Sequence, residues 1–184
     1  ACGASTAFQA LKKLEISGLE TLAIFGQGPV GLAATMFAKE MGARVIAVDI
    51  SEERLFMAKT CGAWDMVNPK NGDVSEQIKN LTGGLGCDSS LEAAGLAETR
   101  IAAVESTKVF GKTCLVGEGG EVTYQPTPHI IHKHLTILGS WTFSTFGLEE
   151  AAKFTSERNI PLDSVITSRS NIEEAPKAYK EFSK

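Results

Sequence analysis

Two features typical of proteins that bind nucleic acid or membranes are missing from this sequence: a block of basic residues and a long apolar run. The 18 lysine and arginine residues are mixed along the chain with 22 aspartate and glutamate residues, and the net charge is −4. This mixing argues against binding to nucleic acid or to a membrane surface. Apolar runs such as Thr21–Phe25 are far shorter than the roughly 20 residues of a membrane-spanning helix. The first residues also lack the charged start and apolar core of a secretory signal.

Closely spaced cysteines are missing as well. The four cysteines stand at positions 2, 61, 87 and 114, and no two of them form a Cys-x-x-Cys pair. We therefore expect no disulfide framework and a protein of the reducing cytoplasm. His129, His132 and His134 lie close together, but no cysteine or aspartate stands near them in sequence. The sequence therefore does not favour a metal site at these histidines.

What the sequence does contain is a regular alternation of short apolar runs with amphipathic stretches. The predicted strands are 21–25, 44–48, 65–67, 89–93, 113–116 and 136–141, with a further short strand at 164–167. The predicted helices are 30–41, 52–61, 74–81, 97–107, 148–158 and 172–182. Such alternation is typical of a parallel sheet covered by helices. We predict an α/β fold, a doubly wound six-stranded parallel Rossmann sheet with helices on both faces and the order 3-2-1-4-5-6.

The chain divides unevenly around this pattern. Residues 1–18 precede the first strand and do not fit the alternation, so we interpret them as a helix leading in from a neighbouring region. Residues 19–184 then form a single domain, for which a hydrophobic content of 43% is enough to bury a core.

A glycine-rich loop joins the first predicted strand to the helix that follows it. Gly26, Gly28 and Gly31 form the pattern G-x-G-x-x-G. The first glycine permits a tight turn, the second lets the backbone approach a pyrophosphate, and the third lets the helix pack against the sheet. Pro29 suits the first helical turn, where its missing N–H is harmless. The N–H groups of that turn and the helix dipole favour a bound phosphate.

An acidic residue stands where such a loop requires one. Asp49 ends the second predicted strand, 21 residues after Gly28, and is expected to accept hydrogen bonds from the hydroxyls of an adenine ribose. A 2′-phosphate at that place would be repelled by the like charge, which favours NAD over NADP. Arg54, one helical turn further on, either reaches the ribose edge or pairs with Glu52 or Glu53 on its own helix.

Longer segments around these residues resemble the medium-chain, zinc-dependent alcohol dehydrogenase family. The segments that carry the resemblance are 22–31, 45–58, 91–95, 115–117 and 135–141. They cover nearly the whole chain but only the coenzyme-binding part of such an enzyme. In this interpretation residues 1–18 lead in from a catalytic domain that lies outside the chain, and residues 19–184 are the NAD-binding domain.

The resemblance assigns further residues to the cofactor. Val30 is similar to the residue that packs behind the nicotinamide, and Ala93 and Ala94 are similar to a pair that flanks the adenosine. The backbone of Val116, Gly117 and Glu118 resembles the stretch that binds the carboxamide. Thr6 and Thr142 resemble contacts to the nicotinamide end of the cofactor.

The resemblance also gives a meaning to Cys2, which stands in the sequence Cys2-Gly3-Ala4-Ser5-Thr6. In the family this motif supplies one ligand of a catalytic zinc, which needs three protein ligands and an open position. The other two ligands would come from the absent domain, so we expect this chain alone to hold no zinc and to be inactive.

We therefore interpret the chain as the coenzyme domain of an NAD-dependent, zinc-dependent alcohol or polyol dehydrogenase. The substrate would be a small alcohol. The edge strand from Thr136 to Trp141 would pair across a two-fold axis, giving a homodimer or, in the full-length enzyme, a tetramer. Two alternatives stay open: a zinc-independent, NADPH-dependent reductase of the same superfamily, and a non-catalytic dinucleotide-binding regulatory module.

Overall fold

The computed structural model describes residues 2–182, and these fold into a six-stranded, all-parallel sheet between helices. The strands are β1 (Thr21–Phe25), β2 (Arg44–Val48), β3 (Asp65–Val67), β4 (Cys87–Glu92), β5 (Thr107–Leu115) and β6 (Thr136–Gly139). The helices are α1 (Cys2–Leu14), α2 (Pro29–Glu40), α3 (Glu52–Thr60), α4 (Val74–Leu81), α5 (Ala97–Ser106), α6 (Thr145–Glu157) and α7 (Ala175–Phe182). The strand order is β3-β2-β1-β4-β5-β6. This order confirms the predicted doubly wound α/β fold.

The core lies on both faces of the central strand β1. Its five residues are all buried, as expected for a parallel strand with helices on both sides. On one face, Phe8, Phe37 and Phe154 pack together, with the Phe8 ring 5.4 Å from each of the other two ring centroids. On the other face, Phe25 packs with Ile78 and further residues of the α4 and α5 layer.

Helix α1 contributes to this core. Its apolar positions Phe8, Leu11 and Leu14 are buried and belong to the same cluster as Phe37 of α2. The predicted lead-in helix therefore exists, and one of its faces packs against the sheet domain. No helix among residues 2–182 is long and apolar enough to cross a membrane.

Three element predictions need correction. The predicted strand at 164–167 is wrong, because a 3-10 helix occupies Leu162–Val165 after Pro161. Strand β5 begins at Thr107, six residues before the predicted start, since an irregularity in its pairing with β4 accommodates Phe110 at φ +62°. Strand β6 ends at Gly139 and not at Trp141, because Thr142 at φ +53° turns the chain out of the extended conformation.

Candidate functional site

The predicted binding residues meet at the carboxyl edge of the sheet. Because all strands are parallel, the loops that follow them emerge at this same edge. These loops contain residues 26–28, 49–51, 93–95, 116–118 and 140–142. Strand β1 lies between β2 and β4, and the chain's connections run in opposite directions from that point. In doubly wound sheets a ligand crevice forms at such a switch point.

The glycine loop leaves room for a ligand beside the helix that follows it. A Cβ on Gly31 would lie 1.8 Å from the carbonyl oxygen of Gly26, so only glycine permits this close approach. Gly26 has φ +87°, and a Cβ there would lie 3.0 Å from Cβ of Ala94. A Cβ on Gly28 would meet no atom within 4 Å. The amino terminus of α2 with its Pro29 thus faces open space that suits a pyrophosphate.

Gln27, an unassigned position of the glycine motif, holds this loop in place. Its side chain is fully buried, and Nε2 donates to the carbonyl oxygen of Ile24 at 3.0 Å. Thr35 Oγ1 on α2 donates to Gln27 Oε1 at 3.1 Å. This role could not be predicted from the sequence, because a glutamine between two glycines carries no periodic signal. The only sequence feature that marks Gln27 is that it is large and polar within a motif of otherwise small residues.

Asp49 closes the other side of the loop. Its buried carboxylate accepts a hydrogen bond from the Gln27 backbone N–H at 2.7 Å and another from the Ser51 N–H at 2.9 Å. Each carboxylate oxygen has a second lone pair that remains able to accept a hydrogen bond. Arg54 Nη1 lies 3.9 Å from Asp49 Oδ2 on a side chain that is 59% exposed. The structure thus places Arg54 beside Asp49, and its contact with the ribose edge stays a prediction.

The loops after β4 and β5 touch each other. Gly117 N donates to the Glu92 carbonyl oxygen at 3.0 Å, and a Cβ on Gly117 would lie 2.2 Å from the Gly95 nitrogen. Next to them, Trp141 Nε1 donates to Glu118 Oε1 at 2.6 Å. Thr142 follows in the left-handed region, which is rare for a β-branched residue and recurs at functional sites. The stretches assigned to the carboxamide and to Thr142 thus lie beside one another.

The amino terminus of α1 lies beside the start of α2. A Cβ on Gly3 would lie 3.7 Å from Val30 Cγ2, and this places exposed Cys2 next to the glycine loop. Thr6 is buried one turn further along α1. Across residues 2–182, no three His, Cys, Asp or Glu side chains come together in a way that could hold a metal. Within that part of the chain, Cys2 therefore belongs to no such group, and its role as a zinc ligand stays a prediction.

Two of the three other thiols, those of Cys87 and Cys114, are poor candidates for metal binding. Burial raises the pKa of Cys87 to about 11, and burial also raises the pKa of Cys114 to about 11. Both therefore stay protonated at neutral pH and fill space as small apolar side chains.

Comparisons with known proteins relate the chain to dehydrogenases. A sequence model described as zinc-binding dehydrogenase matches residues 29–157. A zinc-type alcohol dehydrogenase-like protein of Escherichia coli K12 is 36% identical over 180 residues, which are 97% of this chain and 51% of that protein. An alcohol dehydrogenase of Geobacillus stearothermophilus is 33% identical over 159 residues, which are 86% of this chain and 47% of that protein.

Solved structures show the same likeness. An alcohol dehydrogenase from Thermotoga maritima matches with a TM-score of 0.89 and 28% identity, covering 97% of this chain and 51% of that chain. A zinc-binding dehydrogenase from Sinorhizobium meliloti bound to NADP matches with a TM-score of 0.87 and 27% identity, covering 96% of this chain and 53% of that chain. The chain spans about half the length of these relatives.

Proposed function

The chain belongs to the zinc-binding dehydrogenase family, and we propose that it is the NAD-binding part of a zinc-dependent alcohol or polyol dehydrogenase. The observation that carries the proposal is the pairing of a buried carboxylate, Asp49, with an open glycine loop at the start of α2. When bound, NAD accepts a hydride from the alcohol. The residues of this chain bind and orient the cofactor for that step.

Each part of the cofactor has a proposed contact along the edge. The N–H groups at the start of α2, next to Gly28, hold the pyrophosphate, and Asp49 holds the adenine ribose. Ala93 and Ala94 flank the adenosine side, where Ala94 lies against Gly26. Val30 packs behind the nicotinamide ring. The carboxamide of the nicotinamide lies at the ends of β5 and β6, with Thr6 nearby. Its four proposed contacts there are Val116, Gly117, Glu118 and Thr142.

NAD is favoured over NADP because of where Asp49 lies. A 2′-phosphate at the ribose would face a buried carboxylate, and two like charges at close range repel strongly. Arg54 sits near enough to offset part of this repulsion, and one solved relative is bound to NADP. Exposed cations contribute little in water, so the preference for NAD is expected to persist.

The remaining proposals concern the full-length protein. Cys2 would supply one of three protein ligands to a catalytic zinc, and the other two would come from outside residues 1–184. The chain alone is therefore expected to oxidise no alcohol. We place the enzyme in the cytoplasm as a homodimer, or as a tetramer built from such dimers, formed through the edge strand β6 (Thr136–Gly139).

The proposed ribose contact is tested by titration calorimetry of NAD and NADP against the chain and its Asp49→Ala variant. Each hydrogen bond to a charged acceptor contributes on the order of 1.5–3 kcal/mol, which corresponds to about a tenfold or greater loss of NAD affinity. NADP affinity should fall less, or rise, because a like charge is removed.

The structure makes the ratio of the two affinities the decisive readout of this experiment. Asp49 also holds the N–H groups of Gln27 and Ser51, so its loss disturbs the loop for both nucleotides alike. Only the ribose contact changes the ratio. Glu53→Ala, which removes an exposed carboxylate from the same helix region, should leave the ratio unchanged. A wild type that prefers NADP, or an equal loss of both nucleotides in Asp49→Ala, would contradict the assignment.

A further inference from the structure

A buried carboxylate at the end of β4 gathers the loop that follows it. Glu92 is fully buried, and its Oε1 accepts hydrogen bonds from the Ala94 N–H at 2.8 Å and the Gly95 N–H at 2.7 Å. Thr99 Oγ1 on α5 donates to the same oxygen at 2.8 Å. Three donors on one oxygen fix the course of residues 93–95 at the edge of the crevice.

A guanidinium on α5 extends this arrangement to the loop after β5. Arg100 Nη2 donates to the Gly117 carbonyl oxygen at 2.9 Å, and Nη1 donates to the Gly120 carbonyl oxygen at 3.0 Å. Its Nε lies 3.8 Å from Glu92 Oε2, on a side chain that is only 12% exposed. The Glu92–Arg100 ion pair thus holds the loop after β4 and the loop after β5 against the first two turns of α5.

Stability alone does not explain why the ion pair between Glu92 and Arg100 lies here. A buried ion pair is often no more stabilising than apolar side chains of the same volume. Within residues 2–182, Glu92 Oε2 and Arg100 Nε have no hydrogen-bond partner, and neither does the hydroxyl of nearby Tyr124. Apolar side chains could not replace the planar guanidinium of Arg100, which donates hydrogen bonds to two carbonyl oxygens three residues apart.

The loop after β4 lies against both the loop after β5 and the phosphate loop. A Cβ on Gly95 would lie 2.1 Å from the Glu118 carbonyl oxygen, and Ala94 lies against Gly26. The phosphate loop, the loop after β4 and the loop after β5 therefore form one continuous surface. Its shape on the β5 side depends on where Arg100 holds Gly117 and Gly120.

We propose that Glu92 and Arg100 are positioning residues that set the loop after β5 for the nicotinamide end of the cofactor. The proposal rests on the proposed function, because that function places the carboxamide at Val116–Glu118. It goes beyond that function in assigning the selectivity for a complete dinucleotide to a pair that does not touch the cofactor. ADP-ribose, which lacks the nicotinamide, should be indifferent to the loss of Arg100, because the hydrogen bonds of Arg100 go to the loop after β5.

The test is calorimetric titration of the full 184-residue chain with NADH and with ADP-ribose, comparing wild type with Arg100→Ala and Arg100→Lys. Wild type should bind NADH more tightly than ADP-ribose. Arg100→Ala should lose about fivefold or more in NADH affinity, in the range found for residues that act through others, with ADP-ribose affinity unchanged. Arg100→Lys keeps the charge but loses the fork, and should restore the NADH affinity in part.

A matched control separates positioning from loss of stability. Arg44, at the amino edge of β2, donates to Thr21 Oγ1 and lies over the Trp64 ring, so Arg44→Ala should leave both affinities unchanged. If Arg100→Ala does not fold, the Arg100→Lys variant carries the test and should show a smaller loss of affinity confined to NADH.

The possible results separate the positioning role of Arg100 from the proposed binding of the dinucleotide. Equal losses of NADH and ADP-ribose in the Arg100 variants would overturn the positioning role. A wild type that binds both ligands equally well would overturn it too, while leaving dinucleotide binding intact. A wild type that binds neither ligand would overturn the proposed function and this inference together.

Discussion

Among single residues, Asp88 shows how one carboxylate joins the amino ends of three strands. It lies in β4, its Oδ2 accepts a hydrogen bond from the Thr21 N–H of β1 at 2.8 Å, and its Oδ1 pairs with Lys108 of β5. Burial acts to raise the pKa of Asp88, but the hydrogen bonds from Lys108 and Thr21 outweigh it and hold the pKa below its ordinary value of 3.8. The ionised form is therefore the one that the fold stabilises.

This shift gives Asp88 a pH-dependent contribution to stability. Since its pKa is lower in the folded chain, the contribution is complete above the unfolded value of 3.8 and is lost as pH falls through the folded value. Asp88→Asn should lower the free energy of unfolding by about 1–2 kcal/mol at neutral pH. This range is the usual contribution of hydrogen bonds to a charged group, reduced because Asp88 is partly exposed to solvent. Urea unfolding of both proteins between pH 7 and pH 3 measures it. A difference that stays constant down to pH 3 would rule this account out.

How far the sequence predicts the site differs from residue to residue. Gly26, Gly28, Gly31 and Asp49 could be predicted because their spacing is dictated by the ligand chemistry and the strand-turn-helix geometry. Gln27 and Glu92 could not, because their partners Thr35 and Arg100 come together only when a helix packs on the sheet. A buried polar side chain is defined by its tertiary partners, and these leave no local pattern.

At the scale of elements, the bounds of β1, β2 and β3 could be predicted from the sequence, and those of β4, β5 and β6 could not. β1 and β2 were predicted with their true bounds, because continuous apolar runs between turn residues are typical of buried parallel strands. β5 was predicted too short, since its first half contains the irregular turn at Phe110, which stacks on His134 at 4.7 Å. The short apolar run near Val165 became a 3-10 helix, because it packs against the face of α2 and not against a strand.

Strand β6 is the edge on which the proposed dimer depends. It pairs with β5 on one side only, and its residues are exposed or half-buried. Pairing with a second copy would satisfy the free backbone groups of this edge. Sedimentation at micromolar concentration should show a dimer, weakened in Thr136→Lys because a lysine on an edge strand opposes pairing with a second strand. Thr167→Lys, outside any strand, should leave the dimer intact. A wild-type monomer under the same conditions would show that this edge forms no dimer.

At the scale of the whole molecule, the fold brings distant parts of the chain into one crevice. Asp49 and Thr142 are far apart in sequence, yet parallel strands place both at the carboxyl edge. The opposite, amino edge carries its own loops, including Gly83, Gly84 and Gly86 before β4. The central claim is that a nicotinamide dinucleotide binds at the first edge and not at the second.

Backbone N–H spectra of the ¹⁵N-glycine-labelled chain, titrated with NAD, test this claim most directly because both edges carry glycines. We expect saturable shifts of the Gly26, Gly28, Gly31 and Gly117 signals, with one NAD per chain. The glycines at 83, 84 and 86 should not move. A spectrum without saturable shifts at the carboxyl edge, or with shifts confined to the amino edge, would contradict the account.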